Sequence, residues 1–206
     1  MKGKLMFALC VSSFFTPIYA QKQMKSEALV FKNTYAIDAQ DSKKDIIAKA
    51  VHIIPTDKQY EALKDELGIP KQGWNLVAAS SNLDGKNGRE AFDERADSYW
   101  QSKATGPVQE LVIDLGTAYS IAAFSYTPQR KNAEGMMQSG KLSVSLDGTH
   151  WEDAGSFEFG NLINDPSTRT YRLKNVKNAR FVKVESTVIA GKSQSLAIAE
   201  LDFFTP

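Results

Sequence analysis

Apolar and polar residues alternate with a period of two in four runs after residue 73. This pattern limits the possible folds more than any other feature. Successive side chains of a strand point to opposite faces, so the alternation predicts strands with one buried face. Frequent turn signals between short strands predict an all-β sandwich or barrel. The alternating runs are 111–115, 142–146, 182–185 and 197–203, and the turn signals are Asp84-Gly85, Asn87-Gly88, Gly116-Thr117, Asp147-Gly148 and Asn164-Asp165-Pro166.

The segment before this region, residues 21–72, has a different pattern. Residues 28–35 are compatible with a strand, and the rest predicts two short helices. We expect these helices to pack on the β domain or to carry a link to a partner. The first helix has Ser42 as N-cap, apolar residues at Ile46, Ile47, Ala50, Val51 and Ile54, and an end at Pro55; the second has a capping box at Thr56 and Gln59, an apolar face of Tyr60, Leu63 and Leu67, and an end at Gly68 and Pro70.

Residues 1–20 have the pattern of a signal peptide. Lys2 and Lys4 precede an apolar run over residues 5–15, and Ala20 satisfies the small-residue rule for cleavage. We expect export to the periplasm, the cell surface or the extracellular medium, with a mature chain that starts at Gln21. Cys10 offers lipidation as an alternative, although Leu9 is not the small residue that a lipid anchor prefers. No other segment predicts a transmembrane helix.

Charge and cysteine content exclude several classes of protein. The formal net charge is +1, which argues against non-specific nucleic-acid binding. The chain has one cysteine and two histidines, so a disulfide framework and a four-cysteine zinc site are excluded. Residues 1–20 contain that cysteine, and the expected mature chain has no thiol.

Six segments, in the right order, resemble signatures of the discoidin family, also called the coagulation factor V/VIII type C family, which includes the family 32 carbohydrate-binding modules. The resemblance covers residues 74–204 and implies a jelly-roll β-sandwich, here assigned to residues 73–206, with ligand-binding loops at one end. The segments are Ala91-Phe92-Asp93 with Ser98-Tyr99-Trp100-Gln101-Ser102, Val112-Ile113-Asp114-Leu115-Gly116, Phe124-Ser125-Tyr126-Thr127-Pro128-Gln129-Arg130, Ser145-Leu146-Asp147-Gly148-Thr149-His150-Trp151, Ala179-Arg180-Phe181-Val182-Lys183-Val184 and Ala197-Ile198-Ala199-Glu200-Leu201.

The resemblance also implies a structural calcium site that bridges an early loop and the last strand. Calcium binds several oxygen atoms from carboxylates, hydroxyls and carbonyls. Two residues depart from the family pattern, because Glu94 replaces a glycine and Arg95 adds a positive side chain. The alternative is an empty turn capped by Asp93. The implied ligands are the side chains of Asp93, Ser98 and Glu200 and the carbonyls of Glu90, Arg95 and Ala199.

The loop after Pro128 supplies the candidate contacts to a sugar. Arg130 is the expected main contact, with Asn132 and Glu134 assisting, and Gln129 replaces Arg130 if the family register is shifted by one residue. A guanidinium presents five donors in a fixed fork, which suits vicinal hydroxyls or a carboxylate. A solvated surface turn without a ligand is the alternative. The three tryptophans, Trp74, Trp100 and Trp151, fall at positions that are core in the family.

These observations predict a non-catalytic glycan-binding module with a structural calcium ion. The rival interpretation is an adhesion or scaffold module whose partner is an envelope or extracellular protein. A third is the remnant of a glycoside hydrolase, since residues 51–56 with Gln59 resemble the opening of some fucosidase catalytic domains. A (β/α) barrel needs about 250 residues, so the chain has no room for such a catalytic domain. The chain lacks the sequence motifs of nucleophile elbows, phosphate loops and zinc proteases.

Overall fold

The computed structural model describes residues 52–53, 57–95, 97–104, 106, 108–132, 134–160, 162–191 and 194–206. The signal peptide, the strand over 28–35 and most of the first predicted helix lie outside these residues and stay predictions. The elements are β1 (His52–Ile53), α1 (Asp57–Leu67), β2 (Asn75–Ala79), a 3-10 helix (Gly88–Ala91), β3 (Trp100–Gln101), β4 (Gln109–Thr127), β5 (Met136–Ser145), β6 (Glu152–Glu158), β7 (Arg169–Ala190), β8 (Ala197–Ile198) and β9 (Glu200–Phe204).

The strands pair antiparallel, and the predicted jelly-roll sandwich is confirmed. The main path runs β2-β4-β7-β5-β6, with β9 added to β4 and β1 added to β7. The short strands β3 and β8 form a separate pair. Each long strand has different neighbours in its two halves: β4 pairs with β2 through residues 111–114 and with β9 through residues 123–127.

A corner inside β4 replaces the turn that the sequence predicts at Gly116-Thr117. The pairing of β4 with β7 shifts between Asp114 and Tyr119, so the strand bends there and continues. Gly116 has a φ of +82°, and a Cβ atom at this position would lie 3.0 Å from the Gly73 carbonyl oxygen. Glycine is therefore required at the bend by both its backbone conformation and the close approach of another segment.

One apolar core lies between the layers and accounts for most of the predicted alternation. Phe124 is fully buried, with Phe157, Phe159, Tyr171 and Phe203 around its ring at centroid distances of 5.0 to 6.2 Å. Aromatic pairs in this range stabilise a core beyond the area that they bury. The last run differs from a simple alternation, because both faces of β9 are buried.

Helix α1 lies where the sequence predicts its second short helix, and it packs on the end of the sandwich. Tyr60 and Leu63 form a small cluster with Ala123 of β4 and Phe204 of β9, and Leu67 packs against it. The helix ends at Leu67, directly before the predicted stop at Gly68, whose amide still donates to the Lys64 carbonyl at 2.9 Å. The amide of Thr205 then bonds the Leu67 carbonyl, which ties the helix to the end of β9.

Two further details of the predicted elements are wrong. The sequence predicts a first helix that ends at Pro55, but His52–Ile53 pair as a strand with Tyr171 and Thr170 of β7. The β-branched residues around position 53 suit a strand that can extend a sheet edge. The run over 142–146 ends one residue early, because β5 stops at Ser145 and the Leu146 side chain is 60% exposed in the following turn.

Candidate functional site

Four loop segments meet at one end of the sandwich, and we call residues 80–88, 97–104, 129–132 and 194–196 the loop end. Hydrogen bonds join three of these segments, and the Lys131 ammonium, 5.5 Å from the Tyr99 ring centroid, places residues 129–132 beside them. The Leu83 amide donates to the Gln101 carbonyl, and the Leu196 amide donates to the Ser102 hydroxyl, both at 2.8 Å. The loops therefore form one connected surface.

Gln129 organises the loop that the sequence nominates for binding. Its side chain points inward and is 3% exposed. The amide nitrogen donates to the carbonyls of Asn132 and Glu134 at 2.8 and 2.9 Å, and to the Asn132 side chain. The amide oxygen accepts from the backbone of Lys131 and Asn132 at 2.8 and 3.2 Å. The Gln129 side chain thus forms hydrogen bonds with the backbone groups of the turn from inside, and its polar atoms face the loop and not the solvent.

The other three nominated residues lie on the outside of the same loop. Arg130, Asn132 and Glu134 are all exposed. The Arg130 Nε atom donates to the Pro166 carbonyl at 3.2 Å, so a neighbouring loop braces the guanidinium. The Asn132 side chain accepts from the Glu134 amide at 3.1 Å. The structure therefore brings the candidate residues together, with Gln129 inside and the other three facing solvent.

An aromatic site at the loop end was missed by the sequence analysis. Tyr99 is half-buried, and the Lys86 ammonium lies 3.6 Å from its ring centroid. The Lys131 ammonium lies 5.5 Å from the same centroid. Tyr99 stands in the Ser98-Tyr99-Trp100 signature, so an aromatic beside the core tryptophan was the available signal. No pattern in the sequence around Tyr99 indicated that Lys86 and Lys131 lie close to its ring.

A buried hydroxyl supports the loop end from below. The Tyr126 hydroxyl donates to the Ala197 carbonyl at 3.0 Å and accepts from the Met137 amide at 3.0 Å. The side chain is fully buried, and this burial raises the pKa of Tyr126. These two bonds link β4 to β5 and to β8, the latter at the point where residues 194–196 join β8.

The core positions of two tryptophans are confirmed, and that of the third is wrong. Trp74 is 5% exposed and packs against Phe92 and Phe203, and Trp100 is fully buried. Trp151 is only half-buried, with the Lys183 ammonium 5.3 Å from its ring. It follows an exposed turn, so one side of the indole stays accessible.

Three of the implied calcium ligands lie close together. The Ser98 hydroxyl donates to the Asp93 carboxylate, with distances of 2.9 and 2.8 Å to its two oxygens, and lies 3.1 Å from the Arg95 carbonyl. The Arg95 side chain turns away to Asp97, with Nε 3.3 Å from the carboxylate. This pairing lowers the pKa of Asp97. The Glu94 backbone makes the turn in the family's glycine position with a φ of 62°.

Glu200, the other charged ligand, is held differently. Lys71 forms an ion pair with the Glu200 carboxylate and a second with Asp202 at 2.8 Å. The Glu94 amide also donates to Glu200. Burial raises the pKa of Glu200 to about 7, and the Lys71 ammonium opposes that rise. The Tyr60 hydroxyl donates to Asp202, so a buried polar network joins α1, Lys71 and β9.

The remaining implied ligands are backbone groups of ordered elements. Ala199 lies between β8 and β9, where its amide donates to the Thr127 carbonyl at 3.0 Å, and Glu90 lies in the 3-10 helix. Among the described residues, no three acidic, histidine or cysteine side chains are grouped to hold a metal ion. With an ammonium on Glu200, this donor set does not fit calcium as the resemblance implies it. Calcium binding itself stays a prediction.

A family model and solved structures match this chain. The F5/8 type C domain model matches residues 76–201. Solved relatives include a CBM32 module of Clostridium perfringens GH89, in complex with GalNAc-β-1,3-galactose, at 22% identity and a TM-score of 0.60 over 67% of this chain and 99% of that one. The family 32 module of C. perfringens NanJ, in complex with galactose, matches at 17% identity and 0.59 over 67% and 98%.

A third similar structure is the C-terminal domain of a chitobiase from Bacteroides fragilis. It is 23% identical, with a TM-score of 0.58 over 67% of this chain and 97% of that domain. At these identities the solved structures establish the fold. No helix among the described residues has both the length and the apolar character needed to cross a bilayer.

Proposed function

The chain belongs to the F5/8 type C domain family, and on that premise we propose that it is a non-catalytic carbohydrate-binding module. One observation carries the proposal: the loop built around Gln129 is held from inside and leaves Arg130, Asn132 and Glu134 exposed on a single turn. Two structural neighbours, solved with galactose and with GalNAc-β-1,3-galactose, support a sugar as the ligand class.

The geometry suits recognition of hydroxyl groups. A sugar offers hydroxyls that both donate and accept, and the exposed turn carries a guanidinium, an amide and a carboxylate within five residues. Because the buried Gln129 already orders the turn, binding does not have to order it. Such preorganisation lowers the entropic cost of association.

We also propose that the module acts after export. This part rests on Lys2, Lys4 and the apolar run before Ala20. Mass spectrometry of the secreted protein tests it, with Gln21 expected as the first residue. Material that retains Met1, or a lipid on Cys10, would contradict it.

A glycan array with the secreted protein tests the binding function. We expect specific sugar hits, followed by titration of Arg130→Ala and Arg130→Lys against the best of them. Loss of a charged hydrogen-bonding partner costs about 1.5–3 kcal/mol, so Arg130→Ala should weaken binding about tenfold or more. Arg130→Lys keeps the charge and loses the fork, and we expect it to bind with intermediate affinity.

The melting temperature of both variants should match that of the wild type, because Arg130 is exposed. An array without any sugar hit would overturn the proposal. Specific capture of one purified envelope protein by the same preparation would then favour the adhesion interpretation.

A further inference from the structure

The charges of the loop end are unevenly compensated. Lys103 pairs with Asp84 at 3.4 Å, and Arg95 pairs with Asp97 at 3.3 Å. In contrast, none of the described carboxylates forms an ion pair with Lys86 or Lys131. Both ammonium groups lie against Tyr99 instead. The Asp97 carboxylate, which pairs with Arg95, also interacts electrostatically with Lys131. The surface around this ring therefore carries two ammonium groups, and neither is in an ion pair with a described carboxylate.

The position of Lys86 prevents a neutral sugar from stacking on one face of Tyr99 and favours a ligand with a negative charge. An ammonium 3.6 Å from the ring centroid occupies the space over that face of Tyr99, where an uncharged sugar would otherwise stack. An exposed cation–π contact is worth only about 0.5–1 kcal/mol. A carboxylate or sulfate offers each ammonium a charge-assisted hydrogen bond, which is roughly twice as strong as a neutral one.

We propose that Lys86 and Lys131, whose ammonium groups both lie near the Tyr99 ring, bind an anionic group of the glycan. The ligand class is a sugar that carries a carboxylate or a sulfate. The inference rests on the proposed carbohydrate-binding function and specifies its ligand. Glu134 is an exposed carboxylate in the loop that carries Lys131, and its negative charge opposes the binding of such a ligand.

The test compares matched charged and neutral sugars by calorimetry. One pair is an oligogalacturonide and its carboxyl-reduced counterpart, and the other is a galactose oligosaccharide with and without 6-sulfation. We expect the charged member of at least one pair to bind about tenfold more tightly, with an affinity that falls as salt is raised. Preference in the first pair alone identifies a carboxylate, and preference in the second alone a sulfate.

Variants connect the preference to the proposed residues. Lys86→Ala and Lys131→Ala should each lose most of the preference for the charged sugar, while Glu134→Gln should increase it. Lys141→Ala is the matched control, because Lys141 is an exposed lysine of β5 outside the loop end. Equal binding of charged and neutral sugars overturns this inference and leaves the proposed function intact. Absence of binding to every sugar overturns both.

A separate observation concerns the buried carboxylates of Glu200 and Asp202 in β9. The side chains of Lys71, Glu200 and Asp202 are 7%, 10% and 5% exposed. Buried carboxylates are tolerated when a cation and hydrogen bonds compensate them. Lys71 contacts both, and the Glu94 amide and the Tyr60 hydroxyl add one hydrogen bond to each.

We infer that Lys71 supplies the positive charge that the family resemblance assigns to calcium. A calcium ion on Glu200 would share its carboxylate with an ammonium and bring two cations together. Calcium also takes 6–8 oxygen ligands, whereas Glu200 is already bonded to an ammonium and an amide. With the Lys71 ammonium also on Glu200, the Glu94 amide then connects the turn at residues 93–95 to β9 without a metal ion.

Thermal unfolding with added calcium and with a chelator tests this inference. We expect the melting temperature of the wild type to be the same in both. Lys71→Met should lower it by roughly 6–20 °C, because it leaves two buried carboxylates without a cation. Lys177→Met, which breaks the exposed pair with Glu152, is the control and should change it little.

A rise in the wild-type melting temperature with calcium would overturn the inference. So would a Lys71→Met variant as stable as the control. If Lys71→Met does not fold, the wild-type measurement still decides, and Lys71→Arg, which keeps the charge, should recover a folded protein.

Discussion

At the scale of single residues, Glu94 has the least common backbone conformation of the site. Among the described residues, it is the only one other than glycine with a positive φ, at 62°. Left-handed backbone costs a residue with a side chain roughly 1–2 kcal/mol. The chain therefore keeps the turn at a position where the family has glycine, although Glu94 has a side chain.

We predict that Glu94→Gly and Glu94→Val have opposite effects. Glycine removes the strain but adds freedom to the unfolded chain. The free energy of unfolding of Glu94→Gly should therefore equal that of the wild type or exceed it by up to about 1 kcal/mol. Valine is β-branched and should lower the free energy of unfolding by about 1–3 kcal/mol. Urea unfolding measures both, and equal stability of the two variants would contradict the positive φ.

Gln129 gives a second residue-scale prediction. Gln129→Glu keeps the shape of the side chain but turns a buried donor into an oxygen that faces the carbonyls of Asn132 and Glu134. We expect the free energy of unfolding to fall by about 1–3 kcal/mol, and sugar affinity to fall with it. The structural role of Gln129 and the proposed sugar contact of Arg130 are thus separable, since Arg130→Ala should lower affinity alone.

Limited proteolysis provides the readout for the loop itself. In Gln129→Glu, cleavage after Arg130 or Lys131 by trypsin should become faster than in the wild type. An unchanged cleavage rate together with unchanged stability would show that the loop does not depend on Gln129.

At the scale of elements, the bend of β4 is held by a carboxylate from one strand and a guanidinium from the next. Asp114 accepts two bonds from Arg180 and one from the Gly116 amide, all at 2.8 Å. The hydrogen bond from Arg180 is the main cause that lowers the pKa of Asp114. The stabilisation is therefore complete above the ordinary aspartate pKa of about 3.9 and is lost as the pH falls through the lower, folded-state pKa.

We predict a corresponding pH dependence for Asp114→Asn. Its deficit in the free energy of unfolding relative to the wild type should be largest near neutral pH and should shrink as the pH falls below about 4. Urea unfolding over this range measures it, with Asp65→Asn on the exposed side of α1 as the control. A deficit that stays constant with pH would mean that the charge of Asp114 is not what holds the bend.

At the scale of the whole molecule, the region that matches the family model is smaller than the unit that packs together. The match begins at residue 76, whereas α1 and Lys71 precede it and cover Ala123, Phe204 and the buried carboxylates. Burial of Tyr60, Leu63 and Ile69 contributes about 1.5–3 kcal/mol each, a large share of a typical domain stability of 5–15 kcal/mol.

We therefore predict that a fragment of residues 57–206 unfolds cooperatively at a midpoint close to that of the full chain. A fragment of residues 74–206 should unfold at a much lower denaturant concentration or fail to fold. Equal midpoints for the two fragments would show that α1 and Lys71 are accessory to the sandwich.

The strands and α1 were predictable because their signals are local. The alternation around Leu111, Leu142 and Val182 and the helical spacing of Tyr60 and Leu63 lie within single segments, and each reports the face that the core will bury. Local signals failed at Gly116, where a turn residue serves a bend inside one strand, and at His52, where pairing with β7 prevails over helical spacing.

The all-β class, the family resemblance and the loop that carries Arg130 could be predicted because each depends on patterns within short segments. Three contacts could not: Gln129 points inward, Lys86 and Lys131 meet at Tyr99, and Lys71 reaches Glu200 across 129 positions of sequence. Such contacts arise when strand pairing brings distant loops together, and no periodicity within one segment encodes them.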